Sequence, residues 1–344
     1  MLQALEALNR GVRNRRVRAT TSRCLVALVF LFTLPRVARP QEVSTSELRP
    51  IEPYKIRVDV SSVVLHASVQ NHKGAAVSGL AKDDFQIYED GARQPIEFYS
   101  HDDIPVTVGL VLDNSGSMGP KREVVIAAAM AFARSSNPQD QMFVVNFNEH
   151  VSLGLPANTP FTDQTAHLQD ALSRFNPNGE TALYDALAVA LEHLKKGNRD
   201  KKVLIVVSDG GDNASHYKLS QILALATQSD AIIYTIGIYT DEDPDQNPGA
   251  LRNLSKTTGG EAFFPQSIPD VVPVCERIAH DIREQYTLAY SPANRKQDGA
   301  YRTIQVKAKA PGHGSLTVLT RAGYYAPSKP PPVAPPAGSP SHRP

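Results

Sequence analysis

From residue 105 onward, nearly unbroken apolar runs at 108–112, 142–145, 203–207 and 231–238 alternate with longer segments that carry apolar residues at helical spacing. A strand that is apolar throughout is covered on both faces, and the intervening helices supply that cover. Helices are predicted near 121–134, 165–173, 181–196, 217–228, 248–257 and 268–283. The pattern defines an α/β unit over 104–283 with a doubly wound, mainly parallel, Rossmann-like sheet.

Outside that unit the period changes to two. Val58 and Val60, then Val63, Leu65, Ala67 and Val69, alternate with mostly polar residues, and the phase slips at Ser61-Ser62 as a bulge or strand change would produce. Phe85, Ile87 and Tyr88 run into the turn Glu89-Asp90-Gly91, and Ile96 and Phe98 follow, as hairpin-linked strands would. Beyond the α/β unit, Tyr286, Leu288 and Tyr290 share one strand face, Arg302, Ile304, Val306 and Ala308 another, and 315–321 reads as a last strand. Each β group alone leaves open edges and an incomplete core. Pairing 56–103 with 284–326 gives one β-sandwich with the α/β unit inserted; two separate small modules are the alternative.

The ends of the chain read differently. Arg10, Arg13, Arg15, Arg16, Arg18 and Arg23 precede an apolar stretch at 24–34, closed by Pro35. A spanning helix needs about twenty apolar residues, so 1–40 is expected to be a secretory signal peptide, with an uncleaved signal anchor as the alternative. Export to a periplasmic or extracellular location follows, with membrane attachment only through that anchor. Residues 41–55 read as a linker and 327–344 as a Pro-rich tail expected to be disordered or extended. With Cys24 in the signal, Cys275 is the lone cysteine of the mature chain, which excludes an internal disulfide and reads as a small buried hydrophobe. Lys plus Arg number 36 against 35 Asp plus Glu, so no global field favours nucleic acid.

Candidate chemistry gathers where strands end. In an open parallel sheet, ligands bind beyond the carboxyl ends of the strands. Asp113, Ser115 and Ser117 follow the first run, Thr181 opens a helix after Asn178-Gly179-Glu180, and Asp209 follows the third run in Ser208-Asp209-Gly210-Gly211-Asp212. Mg2+ takes six oxygens at about 2.0–2.1 Å, and a carboxylate with two hydroxyls can fill up to half of that shell. The same residues also suit plain roles: 113–117 as a helix-capping turn, 209–212 as a Gly-rich turn, Thr181 as a cap. The acidic run at 241–245 reads as a solvated loop before it reads as a second cation site. His150, His167, His193 and His216 lack metal-ligand spacing and are expected at the surface or in satisfied positions.

Through Asp113-x-Ser115-x-Ser117, Thr181 in Gly-Glu-Thr-Ala-Leu, and Asp209-Gly210 after an apolar strand, residues 104–270 resemble the von Willebrand factor type A family. With its outer motifs the whole layout is similar to exported bacterial members, especially those of acidobacterial type. The resemblance implies a metal-ion-dependent adhesion site: Ser115, Ser117 and Thr181 as hydroxyl ligands, Asp113 and Asp209 acting directly or through water, and one position open for a partner's carboxylate. Mg2+ is the expected ion, with Mn2+ or Ca2+ as substitutes. A non-enzymatic protein-binding module is thus expected. A haloacid-dehalogenase-like phosphoryl-transfer enzyme is the alternative, although it needs a second acid where this chain has Ser115. A serine hydrolase lacks its G-x-S-x-G elbow here. The remaining alternative is an exported structural protein whose metal only stabilises the fold.

Overall fold

The computed structural model describes residues 62–174, 177–239 and 246–328. The predicted signal, linker, acidic loop 241–245 and most of the Pro-rich tail lie outside those residues. In chain order, β1 (Val63–Asn71), β2 (Phe85–Glu89), β3 (Ala92–Gln94) and β4 (Phe98–Ser100) come first. The α/β unit follows as β5 (Val106–Asp113), α1 (Arg122–Ser135), β6 (Gln141–Phe147), β7 (Val151–Leu153), α2 (Thr165–Ser173), α3 (Leu183–Leu194), β8 (Lys201–Ser208), α4 (Leu219–Gln228), β9 (Ile232–Gly237), α5 (Pro248–Thr258), β10 (Ala262–Phe263) and α6 (Val271–Arg283). β11 (Tyr286–Tyr290), β12 (Tyr301–Ala308), β13 (Leu316–Leu319) and β14 (Gly323–Tyr325) end the described chain.

The central sheet runs β10-β9-β8-β5-β6-β7, parallel except for β7. Helices α1, α2 and α6 pack together, and α3, α4 and α5 pack in succession, giving the doubly wound arrangement. All eight residues of β5 are buried, the physical reason its apolar run shows no alternation. Three of the shortest strands, β7, β10 and β14, were not legible as separate runs. Two or three residues cannot show a period, and their pairing is decided by the neighbouring strand.

The flanking strands form two antiparallel sheets, β13-β1-β11-β4 and β14-β12-β2-β3. One core joins them: Val63, Leu65, Ala67 and Val69 from β1, Phe85 and Ile87 from β2, Tyr286, Leu288 and Tyr290 from β11, Ile304 and Val306 from β12. These are the faces predicted from alternation. Register Glu89↔Ala92 leaves Asp90-Gly91 as the two-residue hairpin turn. Tyrosine hydroxyls within this core find partners, Tyr286 donating to Val77 O at 3.0 Å and Tyr290 to the buried Glu89 carboxylate at 2.8 Å.

β11 lies between β1 and β4, so the strand that leaves the α/β unit pairs with the strand that leads into it. Side chains pin this crossing. Val106 N donates to Asp140 Oδ1 at 2.8 Å, Lys201 Nζ to Ile282 O at 2.5 Å, and Arg283 Nε to Asp103 Oδ2 at 2.8 Å. Burial pushes Asp140 up to about 6, and burial likewise lowers the Lys201 amine to about 8.

Two stability measurements follow from this packing. A Cβ on Gly109 of β5 would meet the Phe143 ring and come within 2.6 Å of Leu204 Cδ2. Gly109→Ala is expected to cost about 1–3 kcal/mol by overpacking, read from urea unfolding. Asp140 binds its proton more tightly folded than unfolded, so its contribution makes stability fall as pH rises from about 4 to about 6 and level off above. Asp140→Asn keeps an acceptor for Val106 N, and the wild-type stability measured against it should decline across that window by up to about 3 kcal/mol. A pH-independent difference would contradict this.

Candidate metal centre

The site is built by strand register. Leu112 of β5 stands opposite Val207 of β8, and Asp113 opposite Phe147 of β6, so the loops after these three strands leave the sheet side by side. Main-chain bonds then tie them. Asn114 N donates to Phe147 O at 2.6 Å, Asn178 N to Asn114 O at 3.0 Å, and Gly116 N to Gly179 O at 3.1 Å. The Thr181 amide donates to Asn213 Oδ1 at 2.8 Å, and Asn213 N returns a bond to Thr181 O at 3.0 Å. The turn after β8 needs Gly210, whose φ is +80°; a Cβ there would fall 2.6 Å from Asn247 O.

Four of the five candidate ligands form one linked set. Ser115 Oγ and Ser117 Oγ are 3.2 Å apart, and Ser117 Oγ donates to Asp209 Oδ2 at 2.6 Å. Asp113 accepts from Ser115 N at 2.8 Å through Oδ1 and from Ser208 Oγ at 2.6 Å through Oδ2. Asp113 and Asp209 are only 3% and 4% exposed, so little solvent offsets their charge. Burial raises Asp113 to about 6, the Ser115 and Ser208 hydrogen bonds oppose that rise, and the Asp209 charge adds to it.

The fifth residue, Thr181, is buried at the same edge, but among the described residues no hydrogen bond joins its side chain to the other four. The alternative reading of Thr181 as a helix cap does not match the structure. α3 starts at Leu183, two residues later than predicted, and its orphan amides are met from the β8 loop. Tyr184 N donates to Asp212 Oδ1 at 3.2 Å and to Ser215 Oγ at 3.0 Å, and Asp185 N donates to Ser215 Oγ at 3.1 Å. Nor does 113–117 cap α1. A short 3-10 turn, Gly116–Lys121, intervenes, and Ser115 makes no side-chain cap bond to it.

The donor set suits a hard cation. Neighbouring corners of a Mg2+ octahedron lie about 3 Å apart, and the spacings of 3.2 and 2.6 Å along Ser115, Ser117 and Asp209 bracket that value. Among the described residues no three His, Cys, Asp or Glu side chains converge on one point, so an ion here draws on hydroxyls. Two buried acids at one edge favour a positive charge between them.

Several supporting residues had no sequence signal. Ser208, the last residue of β8, holds Asp113, and Asn114 Nδ2 bonds Asn146 Oδ1 at 3.2 Å beneath the loop. Lys121, fully buried, donates to Ile238 O at 3.0 Å and ties the 3-10 turn to the end of β9. Only a fold places such residues. His150 and His216 are exposed and His167 meets Thr162 Oγ1 at 3.2 Å, as expected, whereas buried His193 is only half satisfied: Nε2 meets Pro160 O at 2.8 Å and Nδ1 has no hydrogen-bond partner among the described residues.

Fold and site together define a doubly wound α/β domain with a hydroxyl-rich, acid-flanked strand edge. Residues 108–211 match the family model of the von Willebrand factor type A domain, and the chain carries a domain of that family. Domains of this family are metal-dependent protein-interaction modules. An uncharacterised protein of Synechocystis is 26% identical over 140 residues, 39% of this chain and 32% of that one. A protein of Borreliella burgdorferi is 29% identical over 141 residues, 39% and 41% of the two chains. The match thus spans about a third to two fifths of these curated relatives. Among solved structures, a von Willebrand factor type A protein of Catenulispora acidiphila is 15% identical, with 80% of this chain and 76% of that one covered and a TM-score of 0.48. Proximal thread matrix protein 1 of the mussel byssus, with a zinc-occupied metal-ion-dependent adhesion motif, is 18% identical over 57% and 50%, with a TM-score of 0.47.

Ser208→Ala tests the support beneath Asp113. Removing this buried donor is expected to cost about 1–3 kcal/mol in EDTA, read from thermal unfolding. An unchanged melting curve would show that the bond carries no weight.

Proposed function

We propose that this chain is an exported, non-enzymatic binding protein whose metal-ion-dependent adhesion site holds Mg2+ through Ser115, Ser117 and Thr181, with Asp113 and Asp209 acting directly or through water. A partner protein's Asp or Glu carboxylate completes the shell. One observation carries the reading: two buried acids and two serine hydroxyls are linked at a single sheet edge, with exposed Gly116 and Gly179 at its mouth. Neutral hydroxyls leave the ion electron-poor, which favours an incoming anion. Mn2+ or Ca2+ suits the same oxygen donors. Export rests on the arginine-rich, apolar start of the sequence; among the described residues no helix is long and apolar enough to cross a membrane.

Magnesium titration with melting analysis, run beside affinity capture from a cell-envelope extract, tests this. At about 100 times its Kd, Mg2+ should stabilise the wild type by about 2.7 kcal/mol, and Asp113→Ala should lose that gain while staying folded. Capture should disappear in EDTA and in Asp113→Ala. Capture indifferent to both would defeat the proposal, and a stability gain without any metal-dependent capture would leave the ion a purely structural role.

A further inference from the structure

Five large apolar side chains stand exposed among the described residues, and Leu153, Val189 and Tyr217 line one groove of about 620 Å³. Exposed apolar side chains gathered inside a polar rim offer a surface for a partner. One wall is β7, the terminal strand of the central sheet, whose outer edge pairs with no strand among the described residues. The other is a face of α3 carrying Asp185, Val189, Glu192 and, just past its end, Lys196.

The groove opens at the candidate metal edge. Glu149, on its rim, places its carboxylate where a Cβ on Gly179 would stand, and Gly179 O is the acceptor for Gly116 N. Tyr217 and His216 donate their amides to Asp185 Oδ1 at 3.0 and 2.9 Å. These loops also hold Thr181 and Asp209, so metal edge and groove share one frame. From Asp185 to Lys196 the helical rise is about 16 Å, the length of about five extended residues.

Charge is graded along this length. The mouth carries exposed Glu149 and half-buried Asp185, whose Oδ2 faces His216 Nδ1 at 2.8 Å. At the far end Lys196 is exposed, and Glu192 is already paired with Lys195 at 2.7 Å. A cationic side chain fits the mouth, an apolar one the middle. The open edge of β7 favours an extended chain over a helix, because it can meet main-chain groups.

Resting on the metal-site reading above, we propose that the partner is an extended peptide segment that gives its carboxylate to the ion, lays an adjacent basic side chain against Glu149 and Asp185, and seats a following apolar side chain among Leu153, Val189 and Tyr217. The partner's recognition element is then an acid, a base and an apolar residue along one extended segment.

A randomised peptide-display library, sorted on the full chain and read by sequencing, tests this. With Mg2+ the wild type should enrich peptides holding all three features. Leu153→Ser/Val189→Ser, at exposed positions, should lose the apolar preference by about tenfold and keep the acid. Glu149→Lys should lose the basic preference alone. Circular dichroism and melting verify each fold, and if one variant fails to fold the other decides. Enrichment of acid alone, no enrichment, or a pattern that survives both substitutions overturns the groove assignment. The metal reading fails separately, if basic and apolar preferences persist while no acid is selected in Mg2+ and EDTA changes nothing.

Discussion

The structure depends on the burial of β5 between β6 and β8. A strand covered on both faces cannot slide, because a shift of one residue would carry its apolar side chains out of register with both neighbours. That constraint fixes where β5 stops, and so brings Asp113 level with the end of β8, where Ser208 and Asp209 stand. The chemistry at the edge is therefore a consequence of core packing. Two carboxylates that would repel each other in a flexible chain are held together by a hydrophobic register neither takes part in.

Fold class was legible because each period was long enough to read. Continuous runs at β5, β8 and β9 and near-regular alternation in β1, β11 and β12 leave little freedom of interpretation, and the sandwich core contains the residues that alternation selects. Short edge strands and the start of α3 were not legible, since a partner strand or a cap from a distant loop decides them. Asp212 and Ser215 cap α3 from across the loop, and no local pattern near Thr181 could announce that.

The acids and hydroxyls of the candidate site were conspicuous in the sequence, and the residues that hold them were not. Asp113, Ser115, Ser117 and Asp209 stand out because acids and hydroxyls at strand ends are conspicuous against apolar runs. Ser208, Asn146 and Lys121 do not, being single polar residues inside buried stretches. Their partners are fixed by tertiary contact, as between Ser208 and Asp113 or Lys121 and Ile238. Thr181 falls between: its motif is conspicuous, its backbone is held by Asn213, and its side chain stands apart from the linked set.

The placement of β11 between β1 and β4 also bears on how the chain acquires its shape. His66 and Thr287, partners across the β1 and β11 strands, are separated by 221 residues. As the chain grows from the ribosome, β1 to β4 emerge with no partner for their shared gap, and the α/β unit can collapse on its own parallel pairings first. Closing so long a loop costs little more than closing one half its length if the insert remains flexible. If the insert has already folded, it draws its two ends together and shortens the search. The sandwich should then assemble last and slowly, with its early strands in need of protection until β11 arrives.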